Sequence, residues 1–184
     1  MPTIGFMFLT LCFAFYLLWL VAGLGDFLCH RASDLPQTSG VAESTTHLLQ
    51  LAMLAVAIIA GMALEMHAGV ALLLLVLVTA HAIVGYVDTR IAFARKRVSL
   101  PIEQHLHSVL DMAPWIALGV LVATTWPAAV DGAFAFAPRS PALPIAWWIA
   151  VLLPPLALCL VPALLEFRAS LACARAGSRP RPSR

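Results

Sequence analysis

Apolar residues along this chain gather into five long blocks separated by short polar interruptions. A helix crosses the ~30 Å hydrocarbon layer of a bilayer with about 20 mostly apolar residues, within a range of about 17–25. Residues 4–24, 48–64, 69–87, 109–126 and 146–165 meet that requirement. The interruption Glu65-Met66-His67-Ala68 is so short that the second and third blocks must pair as an antiparallel hairpin. Residues 127–144 contain Pro127, Pro138, Pro141 and Pro144 and read as a loop. Pro154, Pro155 and Pro162 fall inside the fifth block, where membrane helices tolerate proline as kinks. Two adjacent glycine positions, Gly23 and Gly25, threaten to end the first helix before Asp26.

Composition agrees with lipid as the solvent. Of 184 residues, 62% are hydrophobic and 11% charged, against about 25% charged in soluble domains. The expected fold is therefore all-α, a polytopic membrane bundle of five transmembrane helices. Residues 1–167 form the membrane domain and 168–184 a basic, disordered tail. Cys12, Cys29, Cys159 and Cys173 lack metal-site or disulfide spacing and read as free thiols. No basic residue precedes the first apolar block, so it reads as a retained span and not a cleaved signal.

The basic residues set the orientation. With five spans, Arg31, Arg90, Arg95, Lys96, Arg97, Arg168, Arg175, Arg179, Arg181 and Arg184 fall on one side and Arg139 alone on the other. The positive-inside rule then predicts an external N-terminus and a cytoplasmic C-terminus in a bacterial inner membrane.

The acidic and imidazole side chains collect on that same predicted side. Asp26 and His30 close the first helix, Glu43 and His47 open the second, His81 and Asp88 lie in the third, and Glu103, His107 and Asp111 open the fourth. Spacings of four, seven and eight residues keep each set on one helix face. Ser99-Leu100-Pro101 reads as a helix start that puts Glu103 inside the fourth helix, and Thr38-Ser39 offers a cap to the second. Nine ionisable groups at membrane depth, five carboxylates and four imidazoles, are a functional-site hypothesis by default. They desolvate and repel one another unless cations neutralise them.

Other polar residues read more plainly. His105 turns about 200° away from His107. Glu65 and His67 are turn residues on the far side, Glu166 pairs with Arg168 at the surface, and Trp147-Trp148 form an interfacial belt. No nucleotide loop, nucleophile elbow or nucleic-acid motif is present.

The strings Cys29-His30-Arg31, Glu43-Ser44 with His47-Leu48, and Glu103-Gln104-His105 with His107-Ser108 resemble a group of small bacterial inner-membrane proteins. That likeness covers roughly residues 23–115; it implies that these boxes belong together and supplies no reaction. The architecture also resembles the carboxylate–histidine di-metal four-helix proteins, although here the spacing is Glu-x-x-x-His and not Glu-x-x-His. Membrane desaturases and hydroxylases differ in being richer in histidine boxes.

The expectation is thus a four-helix metal centre within the five-span bundle. It would hold two metal ions, iron first with manganese and zinc as alternatives, on Asp26, His30, Glu43, His47, His81, Asp88, Glu103, His107 and Asp111. Such a centre suits an oxidoreductase of the oxygenase type, acting on a lipid-like substrate at the cytoplasmic leaflet and fed by a cytoplasmic electron donor. A zinc-dependent membrane hydrolase is the alternative enzyme; a metal transporter or sensor is the non-enzymatic one. Bilayer lipid is the expected partner, and nucleic acid is not.

Overall fold

The computed structural model describes residues 2–131 and 134–177, with side chains over 5–126 and 134–177. Helix α1 is Pro2–Ala32, α2 Gly40–Ala63, α3 Ala68–Ala94 and α4 Pro101–Asp131. Helix α5, Ile145–Pro155, continues through a π turn, Leu156–Leu160, into α6, Val161–Gly177. Five stretches are long and apolar enough to cross a membrane, α5 and α6 counting as one stretch of 33 residues. No strand occurs among the described residues; one isolated bridge joins Leu64 to Pro138. The five rods pack as a closed ring in the order α1, α4, α3, α2, α6 and back to α1.

The helices outrun the apolar blocks. Helix α1 has 31 residues, about 46 Å at 1.5 Å per residue, against ~30 Å of hydrocarbon. Its extra turns carry Asp26 and His30, so the polar boxes sit on helix. Gly23 and Gly25 do not break α1; they let neighbours approach. A Cβ on Gly23 would stand 3.2 Å from Cys159 Sγ, and one on Gly25 3.2 Å from a Leu106 methyl. Helix α4 likewise passes Pro127 to reach Asp131, shortening the loop expected over 127–144. One proline costs a helix one donor and some strain, which membrane helices absorb. After Pro154 and Pro155 the ladder relaxes into the π turn, the local form taken by the expected kink. Helix α6 extends to Gly177, so residues 168–177 of the stretch read as tail are helical; residues 178–184 lie outside the described residues.

The far end of the bundle is tied by backbone and one guanidinium. The Glu65 N–H donates to Ala137 O at 2.9 Å and the Arg139 N–H to Ala63 O at 2.8 Å. The Arg139 side chain donates to Met62 O at 3.0 Å and Gly61 O at 2.9 Å, satisfying carbonyls that a helix end leaves free.

Burial is inverted relative to a soluble fold. Large apolar side chains such as Phe6, Leu18, Ile83 and Leu153 face outward, while His30, Glu43 and Glu103 are among the largest fully buried side chains. Apolar packing inside the ring is confined to two small groups, one around Leu20, Phe27 and Cys159, the other around Ala60, Val70 and Leu74. All four cysteines are free.

Candidate metal centre

At the end of the ring opposite the α2–α3 turn, five helices and one loop converge on a single polar volume. Of the pairs anticipated from helical spacing, Asp26 and His30 are in direct contact. His30 Nε2 lies 3.2 Å from Asp26 Oδ2 on the same face of α1. His107 Nε2 of α4 approaches Asp26 Oδ1 to 3.0 Å. His47 Nε2 of α2 lies 3.3 Å from Asp88 Oδ1 of α3, and the Thr46 hydroxyl donates to that same Asp88 oxygen. Glu103 is positioned by its helix start: it sits in the first turn of α4 after Pro101, and its Oε2 accepts the Leu100 N–H at 3.2 Å. Ser39 occupies the N-cap of α2 without making a side-chain cap bond.

Two residues complete the cluster that the sequence reading placed elsewhere. Glu166 of α6, expected to pair with Arg168 at the surface, is buried and bridges two imidazoles. His30 Nδ1 stands 2.9 Å from its Oε2 and His47 Nδ1 2.8 Å from its Oε1. Residues 166 and 168 are about 200° apart around a helix, so proximity in sequence put them on opposite faces. The fifth span is therefore part of the site, not an outer wall beside a four-helix centre. Ser170, one turn further on, bonds Ser44 Oγ at 2.8 Å and fixes α6 against α2.

Arg97 is the second. Lys96 takes a left-handed conformation (φ 54°) after the α3 C-cap. The Arg97 N–H then reaches back to Ala92 O and the Lys96 N–H to Phe93 O, both at 3.0 Å. This Schellman turn aims the Arg97 side chain into the bundle. Its Nη2 lies 2.6 Å from Glu43 Oε1 and 2.5 Å from Glu103 Oε1, its Nε donates to Glu43 Oε2 at 3.1 Å, and its Nη1 to Ser33 Oγ at 3.0 Å. Burial opposes the charge on Arg97, but hydrogen bonding and attraction from Glu103 and Glu43 outweigh it and push its pKa up. Three consecutive basic residues, Arg95-Lys96-Arg97, look alike in sequence; only the backbone turn separates the buried one from its neighbours.

The cluster carries more formal negative charge than its one guanidinium balances. The rings of His30 and His47 stack at 4.6 Å with a 7° interplanar angle, and Phe27 meets both edge-on. Each Nδ1 faces a Glu166 oxygen, which can only accept, so in a neutral ring the proton would sit on Nδ1. In that state each buried Nε2 would present a lone pair toward a carboxylate oxygen, Asp26 at 3.2 Å for His30 and Asp88 at 3.3 Å for His47. Asp26 Oδ1 and Glu43 Oε1 are ion-paired, the first with His107 Nε2 at 3.0 Å and the second with Arg97 Nη2 at 2.6 Å. The carboxylates of Asp26, Glu43, Asp88, Glu103 and Glu166 face the single guanidinium of Arg97, a formal excess of four negative charges. Doubly protonating His30, His47 and His107 would leave one negative charge and set two cationic rings 4.6 Å apart. Two divalent ions would balance the excess and engage the lone pairs.

Neither a protein-family model, nor a curated protein, nor a solved structure matches this chain. Function has to be read from the geometry.

The donors divide into two groups sharing His30. One atom from each of Asp26, His30, Glu103 and His107 lies within 4.8 Å of the others, and so does one from each of His30, Glu43 and His47. With metal–ligand bonds of about 2.0–2.2 Å, two donors on one ion stand at most about 4.4 Å apart. The first group spans slightly more than one ion's reach, and its Glu103 Oε1 is also paired with Arg97. The second fits less well, because both oxygens of Glu43 are engaged by Arg97. Of the nine residues anticipated, Asp26, His30, Glu43, His47, Asp88, Glu103 and His107 converge. His81 is buried deeper along α3, on the wall of an apolar cavity shared with Asp26 and His47. Asp111 is exposed and lies beside Gly85 of α3, its Oδ1 3.1 Å from where a Cβ on that glycine would sit. His105 is exposed, as its spacing implied, and the Glu65–His67 pair stays at the far turn.

Proposed function

We propose that this chain is a membrane-embedded metalloenzyme whose cluster holds two metal ions, iron above manganese or zinc, and that it oxidises a lipid-like substrate. The observation that carries this reading is the pair of imidazoles anchored through Nδ1 on Glu166, with their Nε2 atoms 3.2 Å from Asp26 and 3.3 Å from Asp88. Metal-bound histidines characteristically give their other ring N–H to a carboxylate, which fixes the tautomer and strengthens the ligand. On this reading Asp26, His30, Glu103 and His107 bind one ion, and His47 with Asp88 and Glu43 the other.

Carboxylate-rich, thiolate-free donor sets favour iron or manganese, and a bound pair of such ions supplies oxygen-activating redox chemistry. The overall change would be R–H + O2 + 2e− + 2H+ → R–OH + H2O, the electrons coming from a cytoplasmic donor. Glu166 holds the two rings in register, Arg97 pairs with Glu43 and Glu103, and Phe27 shields the stacked imidazoles. The basic-residue asymmetry supports a bacterial inner-membrane location with the cluster at the cytoplasmic leaflet. A lipid-like substrate follows from that depth.

Metal analysis by mass spectrometry on detergent-purified protein tests the reading, with Asp26→Asn and His107→Ala alongside. Two iron or manganese atoms per chain, reduced in both variants, are expected. Zinc in their place would move the assignment to hydrolysis, zinc-activated water replacing oxygen chemistry. Metal-free protein, prepared without chelators and unable to take up iron, manganese or zinc, would refute the metal centre.

A further inference from the structure

Below the cluster, inside the ring, runs a cavity of about 400 Å³. On α2 its wall extends from His47 to Ile59, about 18 Å at the helical rise. The two halves differ. Asp26, His47, Gln50 and His81 lie along the part nearer the cluster. Beyond them the wall is apolar, with Leu54, Ala55, Ile58 and Ile59 of α2 facing Leu152 and Leu156. His81 is five-percent exposed, and no described residue hydrogen-bonds or ion-pairs with it. A buried imidazole without a protein partner calls for some other one.

We propose that this cavity is the binding slot for a single-chain lipid with an uncharged, hydrogen-bonding head. The head sits between Asp26 and His81, and the chain extends toward the far leaflet. Shape supports an extended chain: the cavity of about 400 Å³ runs about 18 Å along α2 with an apolar wall over its deeper half. The polar wall selects the head. Asp26 repels an anionic head, and Arg97, the nearest buried guanidinium, does not line the cavity. Gln50 and His81 offer both donors and acceptors to a hydroxyl or ester carbonyl. Along α3, His81 is about 10 Å deeper than Asp88, so an elongated head of the monoacylglycerol kind reaches it from the cluster. That the head is the reacting end rests on the metal-centre reading; occupancy of the slot does not.

Trp19 lines the slot and reports on it. The test uses full-length protein in nanodiscs with Trp115, Trp126, Trp147 and Trp148 replaced by Phe, titrated with a monoacylglycerol brominated along its chain. Saturable quenching of Trp19 is expected, reversed by the unbrominated lipid, at a mole fraction at least tenfold below that needed for chain-brominated phosphatidylcholine. Ala55→Phe, which fills the slot, should abolish the saturable component, and His81→Phe should weaken binding about tenfold, one buried hydrogen bond's worth. Both variants should keep the wild-type metal content. Equal quenching by the two brominated lipids, unchanged in Ala55→Phe, would overturn the slot and mark ordinary bilayer contact. Saturable quenching in a protein that takes up no metal would leave the slot standing and remove the metal centre; normal metal content without saturable quenching would do the reverse.

Discussion

Glu166→Gln is the most informative single substitution, because it changes charge and hydrogen-bonding sense while keeping shape. Glu166 accepts one imidazole N–H on each oxygen, at 2.9 Å from His30 and 2.8 Å from His47. A glutamine keeps one acceptor and turns the other oxygen into an NH2, which faces an N–H it cannot accept. One ring must therefore shift its proton to Nε2, where it meets a carboxylate, or lose its anchor. In the first case that histidine can no longer donate its Nε2 lone pair to a cation; in the second its orientation is free. A hydrogen bond to a charged group contributes about 1.5–3 kcal/mol, and partners that orient metal-bound histidines typically contribute 10–100-fold in affinity. The two ranges overlap at about 2 kcal/mol, some thirtyfold.

The assay is competition between the protein and a chelator of known affinity, using manganese or iron under anaerobic conditions. Ser170→Ala, which breaks the Ser44–Ser170 contact on the same helix without touching a ring, serves as the control for loosened α6 packing. Glu166→Gln should weaken the tighter ion about thirtyfold, with Ser170→Ala within a factor of about three. Equal affinity in Glu166→Gln and wild type would refute the assignment of Glu166 as the anchor that exposes both Nε2 atoms. Equal losses in both variants would assign the effect to helix packing instead.

Other consequences are more local. Arg97→Met leaves Glu43 and Glu103 buried without their counter-charge and should cost about 3–5 kcal/mol in detergent unfolding; Arg97→Lys should recover only part, since an ammonium cannot reproduce the fork that engages both carboxylates. Because the Arg97 pKa is raised from an already high value, its stabilisation is complete below about pH 12 and is lost only above that; a stability profile that fell between about pH 8 and 10 in wild type and not in Arg97→Met would refute this clamp. Lys96→Gly removes the Cβ from a left-handed position and should raise stability by about 1 kcal/mol, read as a higher unfolding midpoint. Arg139→Ala frees the Gly61 and Met62 carbonyls at the end of α2 and should lower stability by about 1 kcal/mol without altering metal content.

What the chain disclosed in advance follows from the physics of each signal. Apolar length reveals spans, and spacings of four residues reveal faces, so the Asp26–His30 pair and the alignment of Glu43, His47, Glu103 and His107 could be read directly. Helix ends were legible only where the chain marks them: Pro101 starts α4, whereas α1, α3 and α6 carry no stop at the end of their apolar blocks and run on. Arg97 was hidden because orientation rules treat all basic residues near a membrane as equivalent, and the turn at Lys96 has no glycine to announce it. Glu166 was hidden by Arg168, a nearer partner in sequence on the other face of the helix. His81 had the right spacing on its helix, but spacing gives azimuth and not depth, and it lies along the bundle away from the convergence, while Asp111 borders the cluster from an exposed position.

Arg97 and Glu166 together change how the cluster must be understood. A set of carboxylates and histidines alone would require metal merely to remain buried, and could be assigned as ligands wholesale. Arg97 already compensates part of that charge, and it does so on Glu43 and Glu103 selectively. Glu103 Oε1 is shared between the guanidinium at 2.5 Å and His30 Nε2 at 3.8 Å, so an ion drawn to Asp26, His30 and His107 competes with Arg97 for that oxygen. An ion at His47 would meet the same competitor at Glu43, both of whose oxygens Arg97 engages, while Asp88 pairs with Thr46 and the imidazole. The two candidate positions are therefore inequivalent: one shares a single oxygen of Glu103 with the fixed cation, the other shares both oxygens of Glu43. Removing the guanidinium should narrow that difference even as it lowers stability, which makes the Arg97 variants a measure of how the cluster divides its negative charge between a resident cation and a bound one.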